Sequence, residues 1–392
     1  MINIYSVLTK FLDIAAGSKG ALPPHKYIGG NEPDNELSVS PLRNAQINKV
    51  RLSGLRVSFP RDFLVIDGSS RSFSTHNFKF FITGVAAYGA RNPIITYPET
   101  MFGKSIDVEW GFAGLKAPLD ILKVVESDRV LSGYIRVRSL EGNYFVEYDD
   151  GVVVDEVRMG LETSFINSLL NNKFLTNDLF LVIDGPIYLA MKERKRLADM
   201  RIDVMNKLSN SGIPTVGVVK RVEGSGKLCR GSVVDFVVNN AEGFSVDVNN
   251  CNDAAFMYRL GQTMGVGVGE AVILGPLKVS AVSGKLSDYF SEDRVFWYVY
   301  TGIGPGVFRV ETLESIYRKH AELIEESVQW LVGNVDDAGM PYIIDVADYY
   351  AKAVTRTLYI RFYQLSLGRG FRPTYDTLQE LSRALGEEGA KP

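Results

Sequence analysis

The sequence predicts an α/β fold: a mixed β-sheet flanked by helices, with additional β-rich and C-terminal helical elaborations. Three observations carry that prediction. Short apolar runs, such as Phe63-Leu64-Val65-Ile66, Leu179-Phe180-Leu181-Val182-Ile183 and Thr215 to Val219, read as buried strands. Helical patterns alternate with them, over Val157 to Leu170 and Met191 to Leu208. The hydrophobic content of 46% across 392 residues is ample for one elaborated domain or two ordinary ones.

The elements follow in chain order. Ile4, Val7, Leu8, Phe11, Leu12 and Ala15 fall on one helical face, a stripe that docks on the body of the protein. Lys10 and Asp13 interrupt the apolar character a signal peptide would need. Gly17 to Pro41, rich in Gly, Pro, Asn and Ser, reads as a linker arm. The expected division is therefore a helix and arm over 1–41, then the body over 42–392.

The Phe63–Ile66 strand ends in Asp67-Gly68-Ser69-Ser70, and a second strand, Phe78 to Tyr88, follows a polar turn at His76 and Asn77. That is a hairpin. Val130 to Val137 and Tyr144 to Tyr148 read as further strands, and Leu179–Ile183 ends in Asp184-Gly185-Pro186. The strand, charged helix and strand from Leu179 to Val219 imply a parallel crossover. Beyond it, Val233 to Val238, Phe244 to Val248, Val272 to Leu274 and Val295 to Tyr300 look like strands. Glu311 to Leu331 and Tyr342 to Leu367 look like helices.

Composition excludes several function classes. A net charge of -3 argues against a general nucleic-acid coat and for local basic patches if nucleic acid is bound. With three histidines, a multi-histidine metal centre is excluded. No apolar run approaches the roughly 18–20 residues that span a bilayer. Cys229 and Cys251 lack close C-x-x-C spacing and read as small buried residues, which fits a reducing cytoplasm.

The residues that point to chemistry are the two strands ending in Asp-Gly, Val65-Ile66-Asp67-Gly68 and Val182-Ile183-Asp184-Gly185. An aspartate at the end of a buried strand is costly unless paired or coordinated. Two such strands in one sheet would present both carboxylates at one edge, where their oxygens suit Mg²⁺ or Mn²⁺. The plainer alternative is a turn aspartate capping its own backbone. Glu162, on the helix between them, would complete a two-cation site for cleaving a phosphodiester; otherwise it is an exposed helix carboxylate.

The order of these motifs resembles the NurA domain from roughly Asp62 to Lys352. The resembling order is strand-Asp-Gly-Ser with a hairpin strand, a Glu-bearing helix, strand-Asp-Gly-Pro, then a strand running into Lys220. Val299-Tyr300 then leads through Gly-rich turns to Phe308-Arg309-Val310-Glu311. The resemblance implies an RNase H-like fold and a Mn²⁺-dependent (or Mg²⁺-dependent) deoxyribonuclease. It further implies a homodimer that works with a HerA-type hexameric ATPase in resecting DNA ends for homologous recombination and repair. By that resemblance Asp67, Glu162 and Asp184 are acidic metal ligands, and Lys220 is the strand-end lysine that neutralises a phosphate; the plain alternative for Lys220 is a solvated lysine at the end of a strand. Ser69, Arg309 and Tyr342 join them as DNA contacts.

The sequence departs from the family pattern at one place. In Gly339-Met340-Pro341-Tyr342-Ile343-Ile344-Asp345-Val346-Ala347-Asp348, the position expected to hold histidine is Asp348. Aspartate binds Mn²⁺ but cannot act as an imidazole acid. Asp345, one helical turn earlier, is a rival for the same role. The helix bearing Lys192, Lys195 and Arg196 is either a solvated face or a wall of a DNA path. Two other function classes stay open. An actin-like or sugar-kinase-like ATPase would need a second Gly-rich phosphate loop, and Glu223 to Leu228 lacks the required spacing. A catalytically impaired scaffold, binding HerA or DNA, would fit the missing histidine.

Overall fold

The computed structural model describes residues 3–17, 37–55, 62–89, 93–99, 103–189, 194–248, 251–281, 289–304 and 306–386. A mixed sheet of twelve strands organises them. Running from its interior toward one edge are β2 (Asp62–Ser74), β3 (Lys79–Tyr88) and β4 (Ile95–Tyr97), joined antiparallel. On the other side of β2 lie β8 (Leu179–Asp184) and then β9 (Thr215–Val219), both parallel to it. An antiparallel hairpin followed by a parallel crossover is the mixed α/β sheet that the sequence predicts.

The sheet continues past β9 through β12 (Val307–Leu313), β11 (Arg294–Thr301) and β10 (Glu270–Ala281) to β1 (Leu37–Arg51) at the edge. The short β5 (Lys104–Ser105) closes the opposite edge, while β6 (Ala113–Lys116) and β7 (Ile135–Arg136) attach to β3. Leu37–Pro41 thus belongs to a strand rather than to the arm. The remainder of that arm, 18–36, lies outside the described residues.

Three helices fix the site. α4 (Asp150–Asn171) begins where the Asp149 carboxylate accepts a hydrogen bond from the Gly151 N–H at 2.7 Å, an N-cap that satisfies an otherwise orphaned donor. Its Leu161, Phe165 and Leu169 are buried in the main core with Leu64, Ile66 and Val182. α5 (Lys195–Asn210) makes the crossover and packs beside α4. α9 (Tyr342–Leu367), whose bounds match the sequence reading, packs against β2 and β3. The other helices are α1 (Ile4–Gly17), α2 (Leu119–Ser127), α3 (Leu131–Tyr134), α6 (Gly231–Asn240), α7 (Asp253–Thr263), α8 (Glu314–Gly333) and α10 (Tyr375–Gly386). All six apolar residues of the α1 stripe are buried, so the helix docks as expected. Among the described residues no helix is long and apolar enough to cross a membrane.

Several expectations are corrected. β2 does not stop at Asp67 but runs on to Ser74, so Asp67 lies inside a strand. Val130–Val137 forms α3 and only a two-residue strand, and Tyr144–Tyr148 holds a single 3₁₀ turn. Val233–Val238 is helical: Val233 and Val237, one turn apart, are its buried residues and join a second apolar cluster under β10 and β11. Phe244–Val248 is no strand, and Glu311 ends up in β12 rather than in α8.

The reading of Cys229 and Cys251 as separate small buried residues is corrected: they are joined in a disulfide and only partly buried, with their Cα atoms 5.9 Å apart. The fold brings together residues 22 apart, a proximity that spacing alone did not show. Closing a loop of that length restricts the unfolded chain by about 3 kcal/mol. Chemical denaturation should therefore show Cys229→Ser losing stability of about that size; an unchanged midpoint would deny the bond a structural role.

Candidate active site

The two Asp-Gly strands lie side by side in register, Val65 opposite Val182 and Ile66 opposite Ile183. The next residue on each is Asp67 and Asp184. Neighbouring strands are about 4.8 Å apart and their equivalent side chains share a face, so the repeated Val-Ile-Asp places two carboxylates together. They are close enough to share a hydrogen bond. Lys220, just past β9, reaches across to Asp184 Oδ2 at 2.8 Å.

Successive residues of a strand face opposite sides. Ser69, on the face of Asp67, accepts a hydrogen bond from Thr355 Oγ1 of α9 at 3.3 Å. The same helix carries Asp348, within electrostatic range of Asp67 and Asp184 and paired with Lys352 at 2.6 Å. Gly68, between Asp67 and Ser69, faces α4. A Cβ there would stand 2.4 Å from Glu162 Oε1 and 2.9 Å from its Cγ. Only glycine leaves that space, which is why the Glu162 carboxylate can lie against the strand. Gly185, with φ of 115°, takes a left-handed turn directly after Asp184.

Burial dominates the electrostatics. Asp67 is 4% exposed, and desolvation holds its carboxyl well above the ordinary range. Asp184, Glu162 and Asp348 push it further up, against Lys220. Asp184 is also raised by burial, with Lys220 opposing and Asp348 adding to the rise. Glu162 is raised by burial, while Arg158 and Arg201 oppose. The Lys220 ammonium is disfavoured by burial, yet Asp184 raises it overall. Asp345, pushed up to about 6 by burial and by a hydrogen bond with Asp336, completes an acid-rich surface.

Glu162 is a buried carboxylate with one idle oxygen. Its Oε1 has no hydrogen-bond partner, an arrangement that is expensive unless something else completes it. Oε2 faces Arg201 Nη2 at 3.8 Å, and Oε1 faces Arg158 Nη1 at 3.9 Å. Both arginines were missed by sequence reasoning; only the i, i+4 spacing of Arg158 and Glu162 hinted at either.

Among the described residues, no three or more His, Cys, Asp or Glu side chains stand together as a ligand set for a metal ion. Glu162 stands apart because it approaches β2 over Gly68, while Asp67 leaves the strand on the other side. The donors still fit a hard divalent cation. They are carboxylate oxygens, crowded and held above their ordinary pKa, and one of them is idle.

The other expected residues are scattered. Arg309 is corrected as a DNA contact: it is 5% exposed, donates to Glu311 Oε2 at 3.0 Å and lies near the Tyr298 hydroxyl. Burial beside a buried glutamate leaves it no phosphate to meet. Lys195 pairs with Asp199 at 2.5 Å. Arg196 is exposed, though its Nη1 donates to the Leu140 carbonyl at 2.8 Å. Lys192 lies outside the described residues. Tyr342 is 46% exposed at the first turn of α9, ahead of Asp345 and Asp348.

Comparison with known proteins gives three findings. No curated protein matches the chain. Among solved structures, the crystal structure of the NurA nuclease from Sulfolobus solfataricus is similar, at 10% identity and TM-score 0.38, covering 83% of this chain and 88% of that one. The NurA domain family model matches residues 61–353, from the first residues of β2 into α9 and thus across every carboxylate described above. The chain belongs to the NurA domain family.

Proposed function

We propose that this protein is a metal-dependent DNA nuclease whose reaction is phosphodiester hydrolysis. The observation that carries the reading is the in-register pair Asp67 and Asp184, with the idle Glu162 Oε1 across the strand. Asp67 and Asp184 bind cations on one face of the sheet. Glu162 completes the set by turning past Gly68, where no Cβ stands in its way. Asp348 is the fourth ligand, in place of the family histidine, and Asp345 is its rival. Mn²⁺ or Mg²⁺ bound there would supply Lewis-acid activation of the phosphodiester and its attacking water.

The chain's other residues handle the substrate. Lys220, already neutralising Asp184, is positioned to neutralise a phosphate oxygen as the strand-end lysine. Ser69, Tyr342, Lys195 and Arg196 line the approach of DNA in this reading. Family membership further suggests a homodimer acting with a HerA-type hexameric ATPase in DNA end resection. A labelled-DNA assay tests the core claim. Purified protein should shorten DNA with Mn²⁺ and stop on chelation with EDTA. Intact DNA under both conditions would leave a scaffold that binds HerA or DNA without cutting.

A further inference from the structure

The two arginines beside Glu162 are held very differently. Arg201, on α5, is 1% exposed, and its Nε and Nη1 make no hydrogen bond. It is a fixed buried cation whose one carboxylate neighbour among the described residues is Glu162 Oε2, and a buried charge of this kind persists only beside its counter-charge. Arg158, one turn before Glu162 on α4, keeps 34% of its side chain in solvent. It stands 3.9 Å from Glu162 Oε1 and 3.6 Å from Asp155, both beyond hydrogen-bond length. Its field reaches Glu162 most strongly, then Asp155, Asp67 and Asp184, so three of the proposed ligands lie within its electrostatic reach.

We infer that Arg158 is a phosphate ligand of the active site, freed for that task because Arg201 already balances Glu162 from the other side. The inference rests on the nuclease reading and deepens it. A cation taking Glu162 Oε1 would displace Arg158 from its loose contact. The side chain, a third of it in solvent, could then turn its planar fork to two oxygens of a DNA phosphate, a geometry that guanidinium matches and ammonium does not. Arg201 cannot do this, since it is walled in. An ordinary i, i+4 surface pair is the competing account, and it predicts almost no consequence for DNA.

The test compares the parent with Arg158→Met and Arg158→Lys. DNA binding is measured with Ca²⁺ in place of Mn²⁺, so that the carboxylates hold a hard cation while cutting is suppressed, across a series of salt concentrations; degradation is measured with Mn²⁺. Arg158→Met should fold with an unchanged melting temperature and bind DNA about tenfold more weakly at low salt. Its slope of log affinity against log salt should fall by about 0.7–0.9, the share of one phosphate. Its kcat should drop about a hundredfold, the scale of losing one fixed donor to the reacting group. Arg158→Lys should keep the salt slope and recover only part of kcat. Parental affinity, slope and rate in Arg158→Met, with a parent that cuts DNA, would overturn the role of Arg158 and leave the nuclease reading intact. A parent that cuts no DNA would overturn both.

Discussion

Asp67→Asn protein should keep its fold and lose Mn²⁺-dependent DNA degradation by at least about a hundredfold, since even outer partners of metal ligands cost ten- to a hundredfold when removed. Asp184→Asn should behave alike, because the two carboxylates occupy equivalent positions on adjacent strands. Stability should move the other way. The folded Asp67 carboxyl is raised above its ordinary value by burial and by Asp184, Glu162 and Asp348. A raised acid stabilises the fold below its unfolded pKa and loses that contribution as pH rises through the folded one. At neutral pH the metal-free parent therefore carries a penalty that asparagine relieves. Thermal melts in EDTA should place Asp67→Asn at or above the parent at pH 7, with the gap closing in acid. A variant that melts lower at pH 7 and still degrades DNA would show Asp67 to serve the fold alone.

The second large effect belongs to a residue with no side chain. Gly68→Ala places a methyl group 2.4 Å from Glu162 Oε1, and the carboxylate must move away because β2 cannot. Alanine is no worse than glycine in a strand interior, so the fold should lose little. Activity should fall ten- to a hundredfold, roughly as for Glu162→Gln. The double variant Gly68→Ala/Glu162→Gln should be no slower than Glu162→Gln alone, since both changes strike one interaction. Additive losses would mean that Gly68 serves the site by some route other than Glu162.

Much of this site was legible because it is built from local repetition. Two Val-Ile-Asp-Gly runs announce equivalent strands, and parallel pairing in register then needs no further information. α9 was legible over its whole length, since its apolar spacing holds from Tyr342 to Leu367. What sequence could not supply was anything set by tertiary placement. Val233–Val238 has the β-branched composition of a strand, but only Val233 and Val237 are buried, and helical spacing won. The strand was expected to end at Asp67; instead β2 continues to Ser74 and Gly68 makes room for a side chain from α4. Arg309 was expected at the surface and is buried against Glu311, while Arg158 and Arg201 reach the site from helices that only the fold brings together. The disulfide escaped for the same reason, its halves meeting through the starts of α6 and α7.

The central claim is that Asp67, Asp184 and Glu162 grip divalent cations at one place on the sheet. Anomalous diffraction from crystals soaked in Mn²⁺ measures this directly. The account predicts manganese peaks in contact with Asp67 and Asp184, with Glu162 Oε1 turned past Gly68 to meet one of them. Manganese bound elsewhere, with these three carboxylates left as they stand beside Lys220, Arg158 and Arg201, would contradict it.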